Sequence, residues 1–286
     1  ERADFRGEHG QFFNFLSAAN TSINVRFKNA SINNGFQDID GTYITEAHAV
    51  YRTINGSFFN VSFHSDKLRP KISDPKGVAE RPGFINSTCV PAGGSGLPDP
   101  ADVSEDQRAL LDIGHVERCD EAVAQVEKDG TLTLTFLEWI LRIKPKDVYY
   151  SGKVTTWSHK IDLQMSPRVP EADMKVKPHG IIGQSFDGDD VGVNGKQDPY
   201  TGATPGPLLV TSAMAEGAIE GEAAEYKMPS KFATAFKYSR FDRLSAPYRD
   251  VAALKGTKVK ASAAQRSAGA KNTLEGEVHQ SPRVEL

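Results

Sequence analysis

The stretch Tyr43–Phe63, YITEAHAVYRTINGSFFNVSF, decides the fold class. Ile44, Glu46, His48, Val50 and Arg52 share one phase of a two-residue repeat, and Tyr43, Thr45, Ala47, Ala49 and Tyr51 share the other. Phe59, Val61 and Phe63 repeat the alternation after Asn55-Gly56. Period two with aromatic and β-branched residues predicts half-buried strands, and Asn-Gly between two such runs predicts a tight hairpin. Ile23, Val25 and Phe27 alternate upstream, and Trp157, His159, Ile161, Leu163 and Met165 alternate downstream. Residues Thr131–Ile143 read as one strand whose apolar phase slips at Phe136, which predicts a β-bulge there.

Two segments break this pattern. Residues 69–101 hold six prolines and read as a long loop. Ser104 followed by Gln107 resembles a capping box, and Ala109, Leu110, Ile113 and Val116 suit a short amphipathic helix, so a helical excursion is expected near residues 104–127. The expected fold is therefore mainly β: an antiparallel β-sandwich over residues 1–245 with that one excursion. Residues 246–286 are small, polar and basic and are expected to form an extended tail that reaches a neighbouring chain.

Composition narrows the function. A net charge of −3 over 286 residues excludes a generally basic nucleic-acid binder. No run approaches the roughly 18 apolar residues of a membrane span. The chain opens Glu1-Arg2-Ala3-Asp4 without Met or a signal peptide, and a processed chain or excised fragment is expected.

Five of the 11 asparagines, Asn20, Asn29, Asn55, Asn60 and Asn86, stand in N-x-[ST] sequons, all before residue 90. They predict a secreted, N-glycosylated first third, with each glycan on an edge or turn. The alternative is a Ser/Thr/Asn-rich β region that forms sequons by accident. The two cysteines, Cys89 and Cys119, are expected to form one bridge in an oxidising compartment, against the alternative of two buried thiols.

Three islands resemble a known family. They are ADFRGEHGQFFNFLSAANTSINVRF at residues 3–27, PHGIIGQSFDGD at 178–189, and EYKMPSKFATAFKYSRF at 225–241. Their glycine and aromatic spacing and their order resemble von Willebrand factor type D-like domains, closest to the Cys-poor plant root-cap-like branch and the inter-alpha-trypsin-inhibitor heavy-chain tail. The resemblance implies an extracellular, non-catalytic β-sandwich, a structural or adhesive module of a matrix, cell wall or surface filament that binds other protein chains. Two departures matter: the chain has only two cysteines, and it lacks the calcium-associated Gly-Asp-Pro-His opening.

Other residues carry specific chemistry. In His179-Gly180-Ile181-Ile182-Gly183-Gln184, the glycines allow positive φ or close backbone approach, and Gln184 can satisfy buried backbone groups. His179 has no accompanying nucleophile signature. Asp187, Asp189, Asp190, Asn194 and Asp198 in a Gly-rich loop are the candidate calcium ligands, against a plain polar turn. Glu138 and Asp162 are the candidate acid pair of a carbohydrate-active or carbohydrate-binding sandwich. The acids Glu216, Glu220, Glu222 and Glu225 read as a solvated helix face or a docking surface. Lys227, Lys231, Lys237, Arg240 and Arg243 interleave with Phe232, Phe236, Tyr238 and Phe241, which reads as an element burying its aromatics.

Overall fold

The structure is a computed structural model, and it describes residues 5, 7–33, 38–68, 82–92, 109–150, 153–170, 173–186 and 219–243. Within these residues the chain builds two antiparallel sheets. Sheet A has the order β12-β1-β2-β3-β4-β5-β6, and sheet B has the order β11-β10-β9-β8-β7. In chain order the strands of sheet A are β1 (Phe12–Ala18), β2 (Thr21–Asn33), β3 (Asp38–Arg52), β4 (Phe58–Leu68), β5 (Pro82–Val90), β6 (Ala109–Leu111) and β12 (Lys227–Met228). Those of sheet B are β7 (Val116–Cys119), β8 (Ala122–Val126), β9 (Leu132–Thr135), β10 (Trp139–Tyr150) and β11 (Lys153–Pro167).

Alternation dictates the core. On sheet A, Phe13, Val25, Ala47, Phe63, Ile85 and Leu111 form one buried cross-strand row, with Leu16, Ile23, Ala49 and Val61 in the next. Sheet B answers with Ala122, Ala124, Val126, Leu132, Leu134, Trp139, Leu141, Ile143 and Ile161, all buried. Tyr51 of sheet A stacks on Phe136 at 4.6 Å and an interplanar angle of 5°. The fold class predicted from the two-residue repeat is thus present: a mainly β, two-sheet antiparallel protein.

One end of the sandwich is fastened covalently. Cys89 of β5 and Cys119 of β7 are disulfide-bonded, with Cα atoms 5.6 Å apart, so the bridge joins the two sheets. Beside it, the β7–β8 turn meets the β3–β4 turn. Thr53 Oγ1 donates to Asp120 (2.6 Å), Asn55 Nδ2 donates to the same carboxylate (3.1 Å), and Tyr51 Oη and the Ile54 amide both donate to Glu121. The bond from Thr53, followed by those from Asn55 and Ser57, holds the Asp120 carboxyl below the usual range.

Three local expectations are corrected. The helical excursion is absent from residues 109–126, which form β6, β7 and β8. Gly114 at φ +82° and Asp120 at φ +51° turn the chain between these strands, and β8 alternates buried and solvent-facing residues. The predicted bulge at Phe136 is a chain reversal: Thr135 pairs with Ile140, and the Phe136 amide bonds the Trp139 carbonyl at 2.8 Å. Register shifts occur elsewhere, including between Asn14 and Leu16 and between Arg26 and Phe27. The long loop of 69–101 contains β5, a full ladder partner of β4. The tail, 246–286, lies outside the described residues.

The inter-sheet bridge closes a 30-residue separation. Cys89→Ser with Cys119→Ser is expected to lower unfolding free energy by about 3 kcal/mol, measured by urea denaturation against the oxidised parent.

Candidate functional site

The outer face of sheet A is polar, and it is nevertheless buried. Arg26, Glu46 and His64 form one cross-strand row; Asn24, His48, Ser62 and Asn86 form the next. His48 and Ser62 have no exposed surface. Glu46 Oε1 accepts from Arg26 (2.9 Å), and its Oε2 lies 3.1 Å from His48 Nε2 and 3.5 Å from His64 Nδ1. His48 Nδ1 lies 2.9 Å from Ser62 Oγ.

Residues 219–243 pack against part of this face, at Asn24, His48, Val50, Arg52 and Phe58. Asn24 Nδ2 donates to the carbonyls of Lys231 (3.0 Å) and Ala233 (2.7 Å). Phe232 packs edge-on against His48 at 5.7 Å, and Phe241 packs with Val50 and Phe58. Arg52 clamps the far end: it donates to Asn20 Oδ1 through Nε and Nη2 and to Asp242 through Nη1. The Phe241 carbonyl accepts from the Asn20 amide at 3.1 Å. The basic–aromatic run does bury aromatics, since Phe232, Tyr238 and Phe241 are interior. It does so through turns and the two-residue β12.

The His179–Gln184 turn docks on β1. The Ser17 and His179 backbones exchange hydrogen bonds of 2.6 and 2.8 Å, and Ile181 and Ile182 donate to Asn14 and Phe15. Gly180 adopts φ +105°, and a Cβ there would stand 2.6 Å from the Phe15 carbonyl oxygen. Gln184 performs the expected role: Nε2 donates to the Gly180 and Ile181 carbonyls, and Oε1 accepts from the Glu220 amide. His179 is buried, stacked on Tyr238 at 4.6 Å, and 3.0 Å from Glu220 Oε2.

The Ser62–His48–Glu46 chain has the connectivity of a nucleophile, a base and an orienting acid. Burial holds the His48 imidazole down at about 4, so it is a weak base at neutral pH, and Ser62 is sealed from solvent. We read the chain as structural. It was invisible in the sequence because its members come from two strands; only the facing phases of β3 and β4 could have hinted at it.

The remaining candidates separate. Glu138 lies buried in the β9–β10 reversal, whereas Asp162 pairs in register with Lys144. Lys144 is six residues further along, about 20 Å of extended strand, against the roughly 5–9.5 Å of a glycosidase pair. The two carboxylates are not brought together. Of the sequon asparagines, Asn29 and Asn55 are exposed, while Asn20, Asn60 and Asn86 are each only 4% exposed. Two of the five sequon asparagines therefore lie at the surface and three are buried. Asn20 sits at φ +57° in the β1–β2 turn, a conformation asparagine tolerates. Glu220 and Glu225 are partnered by His179 and by Lys237 and Tyr238, in a turn and a short 3-10 segment in place of the expected helix face. Asp187, Asp189, Asp190, Asn194, Asp198 and Glu216 lie outside the described residues.

On sheet B, a cavity of about 590 Å³ is lined by Asp129, Thr131, Arg142, Lys144, Asp162 and Gln164 together with Ile161 and Leu163. Asp129 accepts from Lys144 at 3.0 Å. The Thr131 amide, with Thr131 Oγ1 and Lys144, holds its carboxyl down at about 2.

Among the described residues, no helix is long and apolar enough to cross a membrane. No protein-family model, curated protein or solved structure matches this chain.

Gly180→Ala combines a left-handed φ with a backbone clash. It is expected to destabilise the protein by roughly 2–4 kcal/mol in chemical denaturation, whereas Gly114→Ala, which meets nothing within 4 Å, costs about 1 kcal/mol.

Proposed function

We propose that this protein is a non-catalytic, secreted module that works by binding. It serves as a structural or adhesive component of an extracellular matrix, cell wall or surface filament, as the resemblance to von Willebrand type D-like and root-cap-like domains implies. The observation that carries this reading is the Cys89–Cys119 bridge between the sheets, because stable disulfides belong to oxidising compartments. The accessible sequons Asn29 and Asn55 are compatible with passage through a glycosylating pathway. The sealing of Ser62 and the separation of Glu138 from Asp162 remove the two catalytic arrangements the residues suggest. Intact mass of the chain secreted from a eukaryotic host, with and without N-glycosidase and reductant, tests the reading. Glycan confined to Asn29 and Asn55, with a gain of two hydrogens on reduction, is expected. An unmodified mass in the fully reduced state overturns it.

A second reading, a carbohydrate-binding sandwich, is favoured by the sheet B cavity. Its acids, amide and hydroxyl suit sugar hydroxyls, and the exposed Arg142 offers a planar fork to a carboxylate. On this reading the chain binds a uronate-containing oligosaccharide, and Arg142→Ala weakens binding by about tenfold or more in calorimetry. Equal binding by parent and variant sinks it. A calcium-dependent module built on Asp187, Asp189, Asp190, Asn194 and Asp198 would instead show metal-dependent protection of that loop.

A further inference from the structure

We propose that His179 and His48 form an acid-sensitive latch that releases residues 219–243 from the outer face of sheet A when the imidazoles take up protons. Both histidines stand at the contact between this closing segment and the sandwich. His179 belongs to the turn docked on β1 and faces Glu220, Tyr226, Tyr238 and Arg240, all from the closing segment. His48 belongs to β3 and is roofed by Phe232. Around it stand Glu46 of its own strand, Arg26 and Asn24 of β2, Ser62 and His64 of β4, Phe12 of β1 and Lys231 of the closing segment.

The geometry of His179 favours the neutral ring. The Gly180 amide donates to Nδ1 at 2.9 Å, so Nδ1 carries no proton and Nε2–H points at Glu220. Protonation places a second donor, Nδ1–H, against the Gly180 N–H. The Gly180 backbone is held close to β1, because the next two amides, Ile181 and Ile182, bond the Asn14 and Phe15 carbonyls. For His48, protonation adds a charge where solvent is excluded, beneath Phe232 and within the field of Lys231.

The direction of the pH effect follows. Burial, joined for His179 by the Arg240 charge, holds both imidazoles below their ordinary value. When the segment lifts, they regain it, so the open form binds more protons. Closure is therefore fully favourable above about pH 6.5 and weakens as pH falls toward about 4, the value for closed His48. The Glu46 carboxyl, although opposed by its own burial, is lowered overall by hydrogen bonds to His48 and His64, which share sheet A with it and stay beside it when the segment lifts.

Release would uncover a ready-made polar surface. Asn24 would lose its two carbonyl partners on the segment, and His48 would lose its Phe232 roof.

Hydrogen exchange on the full chain, corrected for intrinsic rates, tests the latch between about pH 7.5 and about pH 5. Amides of 226–241 are expected to lose protection about tenfold per pH unit for each linked proton, while amides of β9 and β10 keep theirs. His179→Gln can accept from Gly180 and donate to Glu220 without titrating, and it is expected to lower the pH response of the segment. Unchanged protection of 226–241 at pH 5 overturns the proposal. So does loss in step with β9 and β10, which is global acid unfolding, or an undiminished response in His179→Gln. The parent comparison of the two amide sets decides the matter even where the variant fails to fold.

Discussion

Asn24 is buried in the middle of sheet A, with its side-chain amide pointing away from the core. In an isolated sheet that amide and its neighbours would face water at no cost. Here Asn14, Ser22, Asn24, Glu46, His48 and Ser62 are all interior, so each needs a partner. Asn14 Nδ2 bonds Ser22 and Asn24, Glu46 bonds Arg26 and His48, and Asn24 reaches two carbonyls of the closing segment. Those carbonyls belong to turns that no ladder would satisfy. Asn24 and the turns at Lys231 and Ala233 therefore satisfy each other's hydrogen bonds across this contact.

The covering segment uses two kinds of contact. Phe232 and Phe241 supply apolar area over His48 and Val50, while two of its lysines form ion pairs. Lys227 pairs with Glu8, and Lys237 with Glu225. At its start, His179, Tyr226 and Tyr238 stack in a column that the Gln184 side chain ties to the turn on β1. Three stretches far apart in sequence thus converge on strand β1, which pairs with β2 on one side and β12 on the other.

The sheet was legible in residues 43–63 because alternation is a local signal and both strands obey it. Gln184 was legible because a buried turn with two glycines leaves backbone carbonyls that an amide can satisfy. Other features were hidden for identifiable reasons. Residues 109–116 carry apolar positions spaced for a helix, yet Gly114 reverses the chain between two short strands, and no helical window registers that. Strand β5 was masked by the prolines around it, although Ile85 alternates with neighbours as a strand residue should. The Glu46–His48–His64 cluster depends on the β3–β4 register, which sets two histidines from separate strands beside one carboxylate. The alternation in β3 implied that His48 faces outward, which is true, but outward proved not to mean exposed.

The sequons and the cysteines pointed to one compartment when read as sequence, and the structure makes them unequal evidence. A disulfide between sheets depends on a geometry that only the folded chain supplies, and Cys89 and Cys119 meet it. A sequon depends on three consecutive residues and is indifferent to burial. Asn20 sits in a turn at φ +57° and is held by Arg52, and Asn60 and Asn86 are buried on the outer phase of sheet A. A glycan attached to Asn20 before folding would stand where Arg52 packs. Asparagine, serine and threonine recur in this region because a buried polar face needs short side chains that both donate and accept. Burial thus sets Asn29 and Asn55 apart from the other three sequon asparagines.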